Sequence, residues 1–116
     1  LPRFLSDGRA KKCGRGEDDM QTFISFGNWT ELGVREIKNS TQRLDSSKAF
    51  AKQIGGEILH FYLTMGEFDM VIVAEFPDDS SAALFLLHIT KSGAVRFKTH
   101  KAFPEPEYRE LMRGLG

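Results

Sequence analysis

The chain has 116 residues, 41% of them hydrophobic and ten of them Phe, and its 16 basic and 16 acidic side chains cancel to a formal net charge of zero. That length fits one domain with a real core, and the charge balance disfavours a surface built to grip a phosphate backbone, so nucleic acid is not an expected partner. No apolar run approaches the roughly 18 residues of a membrane span, and the single cysteine, Cys13, allows neither an internal disulfide nor a thiolate zinc site, which suits a reducing cytoplasm.

The first nineteen residues, "LPRFLSDGRAKKCGRGEDD", carry nine charges, three glycines and a proline with no periodic apolar pattern. Dense charge with few apolar groups cannot repay the entropy of ordering, so 1–19 reads as a disordered extension ahead of a domain over 20–116. It lacks the apolar centre of a signal peptide. Its bland interpretation is a dispensable stretch upstream of a natural start at Met20. The sharper one, a basic arm through Arg9, Lys11, Lys12 and Arg15, has five basic against four acidic residues to work with, a net of only +1.

Strand-like sequence begins at "QTFISF" (21–26) and stops at Gly27-Asn28. Thr30 is placed to cap a helix through "ELGVREIKN". Asn39-Ser40-Thr41 interrupts the pattern, and "QRLDSSKAFAKQI" resumes it with Leu44, Ala51 and Ile54 on one face and Phe50 at its edge. Gly55-Gly56 provides the positive-φ stop. Strands at 57–64 and 68–76 follow, and Pro77-Asp78-Asp79 closes the second and caps the helix "SSAALFLLHITKS". There Ala82, Phe85, Leu86 and Ile89 form the core stripe, with Leu84 and Leu87 off it. After Gly93 comes a fourth strand, 94–103, and Pro104 opens a short helix containing Tyr108, Leu111 and Met112. This order predicts an α+β sandwich of the ferredoxin-like βαββαβ kind, a four-stranded antiparallel sheet with the helices on one face.

Gly66-Glu67, read as a type II′ turn, sets the hairpin register. Met65 then faces Phe68, Leu63 faces Met70, Phe61 faces Ile72 and Leu59 faces Ala74. All eight are apolar, so this set is expected under the helices. The other face receives Tyr62 with Val71 and His60 with Val73. From the strands at 21–26 and 94–103 it is expected to receive Phe23, Ser25, Arg96, Lys98 and His100, with Ile24, Phe26, Val95, Phe97 and Thr99 turned to the helices. A face so apolar is usually covered by a second subunit, with room for a pocket between, so a homo-oligomer is expected.

"NWTELGVREIKNS", "RLDSSKAFAKQIGGEI", "FYLTMGEFDMVIVAEFPDD" and "KAFPEPEYREL" together resemble the GYD-domain proteins over residues 20 to 112. Gly66 and Asp69 match two of the three residues that name the family, while Phe68 stands where Tyr is typical. The expected burial of residue 68 argues against obligatory chemistry by that hydroxyl. The resemblance implies a dimeric α/β-barrel, two ferredoxin-like subunits joined through their sheets. It imports no reaction, since the wider superfamily spans cofactor-independent monooxygenases, haem-degrading enzymes and plain ligand-binding proteins.

Five residues are candidate ligand contacts: Asn28, Trp29, His60, Tyr62 and Asp69. Each has a structural explanation beside the functional one. Asn28-Trp29-Thr30 is either a turn, an anchor and a cap, or a polar wall of an intersubunit pocket. His60 and Tyr62 are either interface hydrogen-bonding groups or pocket groups. Asp69 either accepts backbone N–H bonds beside the turn or orients the neighbours of His60. The three histidines lack metal-ligand spacing, and no Gly-x-Ser-x-Gly elbow, dinucleotide fingerprint or Walker loop is present, so no catalytic set, metal or cofactor is assigned. Two functions remain in play. One is a non-enzymatic homo-oligomeric module binding a small apolar or aromatic molecule between sheet and helices. The other is a cofactor-independent monooxygenase-like enzyme, which requires Asn28, Trp29, His60 and Tyr62 to meet at one cavity.

Overall fold

A computed structural model describes residues 19–116, so the expected disordered extension lies, apart from Asp19, outside the described residues. The elements run β1 (Gln21–Trp29), α1 (Glu31–Arg35), a 3₁₀ turn (Ile37–Asn39), α2 (Ser40–Gln53), β2 (Glu57–Leu63), β3 (Met70–Phe76), α3 (Asp79–Thr90), β4 (Val95–Ala102) and α4 (Glu105–Arg113). All strand pairs are antiparallel, in the order β2-β3-β1-β4. This is the ferredoxin-like arrangement expected from the sequence. Local chemistry explains the helix limits. Thr30 and Asp78 cap α1 and α3 by accepting the backbone N–H groups of Gly33 and Ser81, and Gly55, at φ +88°, stops α2.

The core lies between the sheet and helices α2 and α3. Ala51 of α2 and Ala82, Phe85 and Ile89 of α3 pack on Ile72, Ala74 and Phe76 of β3, with Leu44, Phe50, Ile54 and Leu86 at its margin. These are the helical stripes read from the periodicity, and Leu84 and Leu87 are exposed as their positions off the stripe require. Phe76 rests 5.0 Å from Phe85 between ring centroids, a tilted aromatic pair at the centre.

Strand β1 faces the opposite way from the sequence expectation. Phe23, Ser25 and Gly27 point to the helices and are buried, because the register sets them beside Ala74, Ile72 and Met70 of β3. Ile24 and Phe26 therefore occupy the open face, beside Val73 and Val71. Ser25 repays the burial of its hydroxyl with a 2.8 Å hydrogen bond to the Thr99 hydroxyl across the sheet. On β4, Phe97 and Thr99 face inward and Arg96, Lys98 and His100 outward, as expected.

The hairpin keeps the expected pairs Phe61–Ile72, Tyr62–Val71 and Leu63–Met70, but two features differ. A bulge between Ile58 and His60 places Ile58, not Leu59, against Ala74. Ile58 is buried and Leu59 is 40% exposed; the extra residue reverses the alternation below it. The turn is also wider than two residues. Its last rung runs from the Thr64 N–H to the Asp69 carbonyl at 2.9 Å, leaving Met65–Phe68 as the loop. Gly66 has φ +156°, positive as expected but far from the value of about +60° at the first central position of a type II′ turn. Met65 is consequently 99% exposed. Phe68 packs 5.2 Å from Phe26 on the open-face side rather than under the helices.

Candidate functional site

Two surfaces have the character of binding sites, one on each side of the sheet. The open face is built by alternation on the two central strands. Ile24 and Phe26 of β1 stand beside Val73 and Val71 of β3, flanked by His60 and Tyr62 of β2 and by Lys98 and His100 of β4. Its aromatic groups touch one another: Phe26 meets His100 edge-on at 5.7 Å, and His60 stacks on Tyr62 at 5.9 Å. Ile24, Phe26, Val71 and Val73 are half-buried, and Tyr62 is 55% exposed. The exchange of Phe23 and Ser25 for Ile24 and Phe26 makes this face more apolar than the sequence suggested. Elsewhere on the surface, helix α4 exposes Tyr108, Leu111 and Met112, and burial raises its Glu107 carboxyl above the ordinary range while the nearby Lys101 ammonium pulls it back.

The second surface is a cleft of about 240 Å³ between α2 and the helix-side face of the sheet. Trp29, Leu44, Phe61, Leu63, Ile89 and Phe97 supply most of its apolar wall, and Ser40, Thr41, Arg43 and Ser47 of α2 form its polar edge. Strand ends fix the wall from below, and the helix spans it from above. An apolar cavity of ~150 Å³ already takes benzene, so a single ring with a short side arm fits here.

The five candidate residues do not converge. Trp29 lines the cleft. His60 and Tyr62 lie on the opposite face, with Val73 and Val71. Asn28 and Asp69 join β1 to the hairpin: the Asp69 N–H donates to the Gly27 carbonyl at 2.9 Å and to Asn28 Oδ1 at 3.0 Å. Asp69 Oδ2 in turn accepts the Trp29 N–H at 3.1 Å. Asp69 thus accepts a backbone N–H, as one of its two sequence explanations holds, and the group it orients is Trp29. Replacing Asp69 by Ala should cost about 1–2 kcal/mol by stranding that N–H. Thermal unfolding would show the loss, and an unchanged midpoint would mean that water replaces the carboxylate.

Sequence reasoning missed Arg43, Leu44 as a cleft residue, and Phe61. Phe61 and Leu44 were legible as core positions, but an unfilled volume beside them is not a property of spacing. Among the described residues no group of three His, Cys, Asp or Glu side chains could hold a metal ion, and no helix is long and apolar enough to cross a membrane.

The profile of the GYD domain matches residues 23–112. The "Glutamine synthetase and cystathionine beta-lyase binding protein" of Thermus thermophilus is 27% identical over 86 residues, which cover 73% of this chain and 90% of that protein. Among solved structures, MtbAldR superposes with a TM-score of 0.59 at 10% identity, over 86% of this chain and 64% of its own. An AsnC family transcriptional regulator from Agrobacterium tumefaciens gives 0.51 at 14% identity, over 86% and 61%. These two likenesses are of fold alone, and the chain spans less than two thirds of the length of either of those chains.

Proposed function

The chain belongs to the GYD-domain family, and from that premise we propose that it is a non-enzymatic homo-oligomeric binding module. A second copy covers the open sheet face, and a small apolar or aromatic molecule occupies the cleft. The observation that carries the first half is the row Ile24, Phe26, Val71 and Val73 on the two central strands, turned away from α2 and α3. Contiguous apolar area of this kind on central strands belongs to interfaces. His60 and Tyr62 then supply polar contacts at its edge, where amphipathic rings suit an interface. The Thermus thermophilus relative bears the name of a protein that binds two enzymes, which supports a protein-docking use of this fold. The single cysteine suits work in a reducing cytoplasm.

The cleft carries the second half, with Trp29 as the candidate ligand contact that remains in it. A monooxygenase-like reaction would need Asn28, Trp29, His60 and Tyr62 around one cavity, and the sheet stands between Trp29 and the other two rings. Size-exclusion chromatography with light scattering at micromolar concentration tests the assembly. A dimer or larger species is expected, and a monomer would remove the interface.

A further inference from the structure

Arg43 sits on α2 at the polar edge of the cleft. One of its guanidinium nitrogens, Nη1, donates to the Glu36 carbonyl over a long 3.4 Å. The other, Nη2, is shut off from solvent and has no hydrogen-bond partner. None of the ion pairs among the described residues involves Arg43. A guanidinium keeps its charge in proteins, and a buried charged donor left unmatched is costly. The neighbouring Ser47 hydroxyl donates to the Arg43 backbone carbonyl at 2.9 Å and makes no hydrogen bond to Nη2. The apolar walls of the cleft include Trp29, Leu44, Phe61 and Phe97, which offer a ring-sized apolar body ample contact.

We infer that the cleft takes a small aromatic monocarboxylate, its ring against Trp29 and Phe61 and its carboxylate on the guanidinium of Arg43. This rests on the cleft being a ligand site at all. A carboxylate is the planar anion that the guanidinium fork matches best, and a turn of the Arg43 side chain toward the cleft it lines would bring Nη2 to the acceptor it lacks. The volume of about 240 Å³ admits one ring and a short arm.

The test uses 3-phenylpropionate and its neutral counterpart 3-phenylpropan-1-ol, titrated into the full chain. Trp29 is the single tryptophan, so its emission reports the cleft directly, and calorimetry gives the affinities. The acid is expected to bind at least about tenfold more tightly than the alcohol. Arg43→Gln should bring the acid down to the alcohol's affinity while leaving the alcohol within about threefold of its original value. Equal binding of acid and alcohol by the unaltered protein would overturn the assignment of Arg43 and leave the cleft as an apolar site; that comparison needs no variant. A preference for acid that survives Arg43→Gln would also overturn it. Failure of both probes to bind would remove the cleft as a ligand site together with the inference.

Discussion

If a second copy covers the open sheet face as proposed, Val73→Lys should convert the assembly into a folded monomer. Val73 lies at the middle of β3, between Ile24 on one side and His60 on the other, on the face turned away from α2 and α3. Its neighbours along the strand, Ile72 and Ala74, are buried in the core on the opposite face. A lysine at 73 therefore stays out of the domain's own interior and, in the proposed assembly, would meet the second copy's sheet. In the assembly its ammonium would be buried against apolar side chains without a counter-charge, at a cost of several kcal/mol, or about a hundredfold or more in dissociation constant. In the monomer the same ammonium reaches water, so the unfolding midpoint of the separated chain should fall only modestly. Light scattering would report the mass, and circular dichroism the retained fold. A variant that stays assembled would place the contact elsewhere, with α4 and its exposed Tyr108, Leu111 and Met112 as the next surface to alter.

How far these surfaces were legible in the sequence depends on the contrast between the two faces of each strand. On β3 the burial alternates as Met70, Ile72, Ala74 and Phe76 in, Val71, Val73 and Glu75 out, and pairing with β2 left one consistent assignment. On β4 the charges of Arg96 and Lys98 mark the outside. Strand β1 has no such contrast, since "FISF" is apolar on both parities. What decides it is the need for small residues beneath the helices. Ser25 and Gly27 leave that space, and Phe97, paired with Gly27, fills it from the next strand. Ile24 and Phe26 are too large for a layer already holding Phe97 and Ile89. The bulge at Leu59 was invisible for a related reason: "EIL" reads equally well with either residue inside, and the unpaired residue belongs to the three-dimensional twist of an edge strand.

The candidate residues fared according to the kind of role they were given. Asn28 and Asp69 were noticed for their turn chemistry, and their hydrogen bonds are of that kind. His60 and Tyr62 were placed on the correct face by the register. Trp29 carries two explanations in the sequence, an anchor or a pocket wall, and only the enzyme reading requires it beside His60 and Tyr62; it shares the inward parity of Phe23, Ser25 and Gly27 and lines the cleft. The cleft itself is a volume left where α2 spans the sheet, and no local pattern encodes it. Arg43, adjacent to the core residue Leu44 but otherwise one basic residue on a polar helix, gave no signal of its own.

Gly33→Ala should be the most destabilising single methyl added to this domain near the cleft. Gly33 lies in α1, a five-residue helix held down by Thr30. The Thr30 hydroxyl accepts the Gly33 N–H at 3.2 Å and donates to the Gly93 carbonyl at 2.5 Å, while the Thr30 N–H donates to the Ala94 carbonyl at 3.0 Å. These bonds draw the helix so close to the start of β4 that a Cβ on residue 33 would stand 2.1 Å from the Ala94 carbonyl oxygen and 3.1 Å from Trp29 Cδ1. The oxygen is backbone and already bonded to Thr30, so it cannot turn aside without giving up that bond. Relief requires α1 to lift away, which combines overpacking strain with one or two lost hydrogen bonds, about 3–5 kcal/mol in all. For a domain of this size the unfolding midpoint should fall by roughly 10–20 °C. Because the same methyl presses on Trp29, the emission of this single tryptophan should also shift before global unfolding, and affinity for an aromatic ligand in the cleft should weaken with it. Val34→Ala next door, on the exposed side of the same helix, controls for helix propensity and should change the midpoint little. A Gly33→Ala protein with an unaltered midpoint would show that α1 is free to move, and the cleft wall it braces through Trp29 would then be a mobile one.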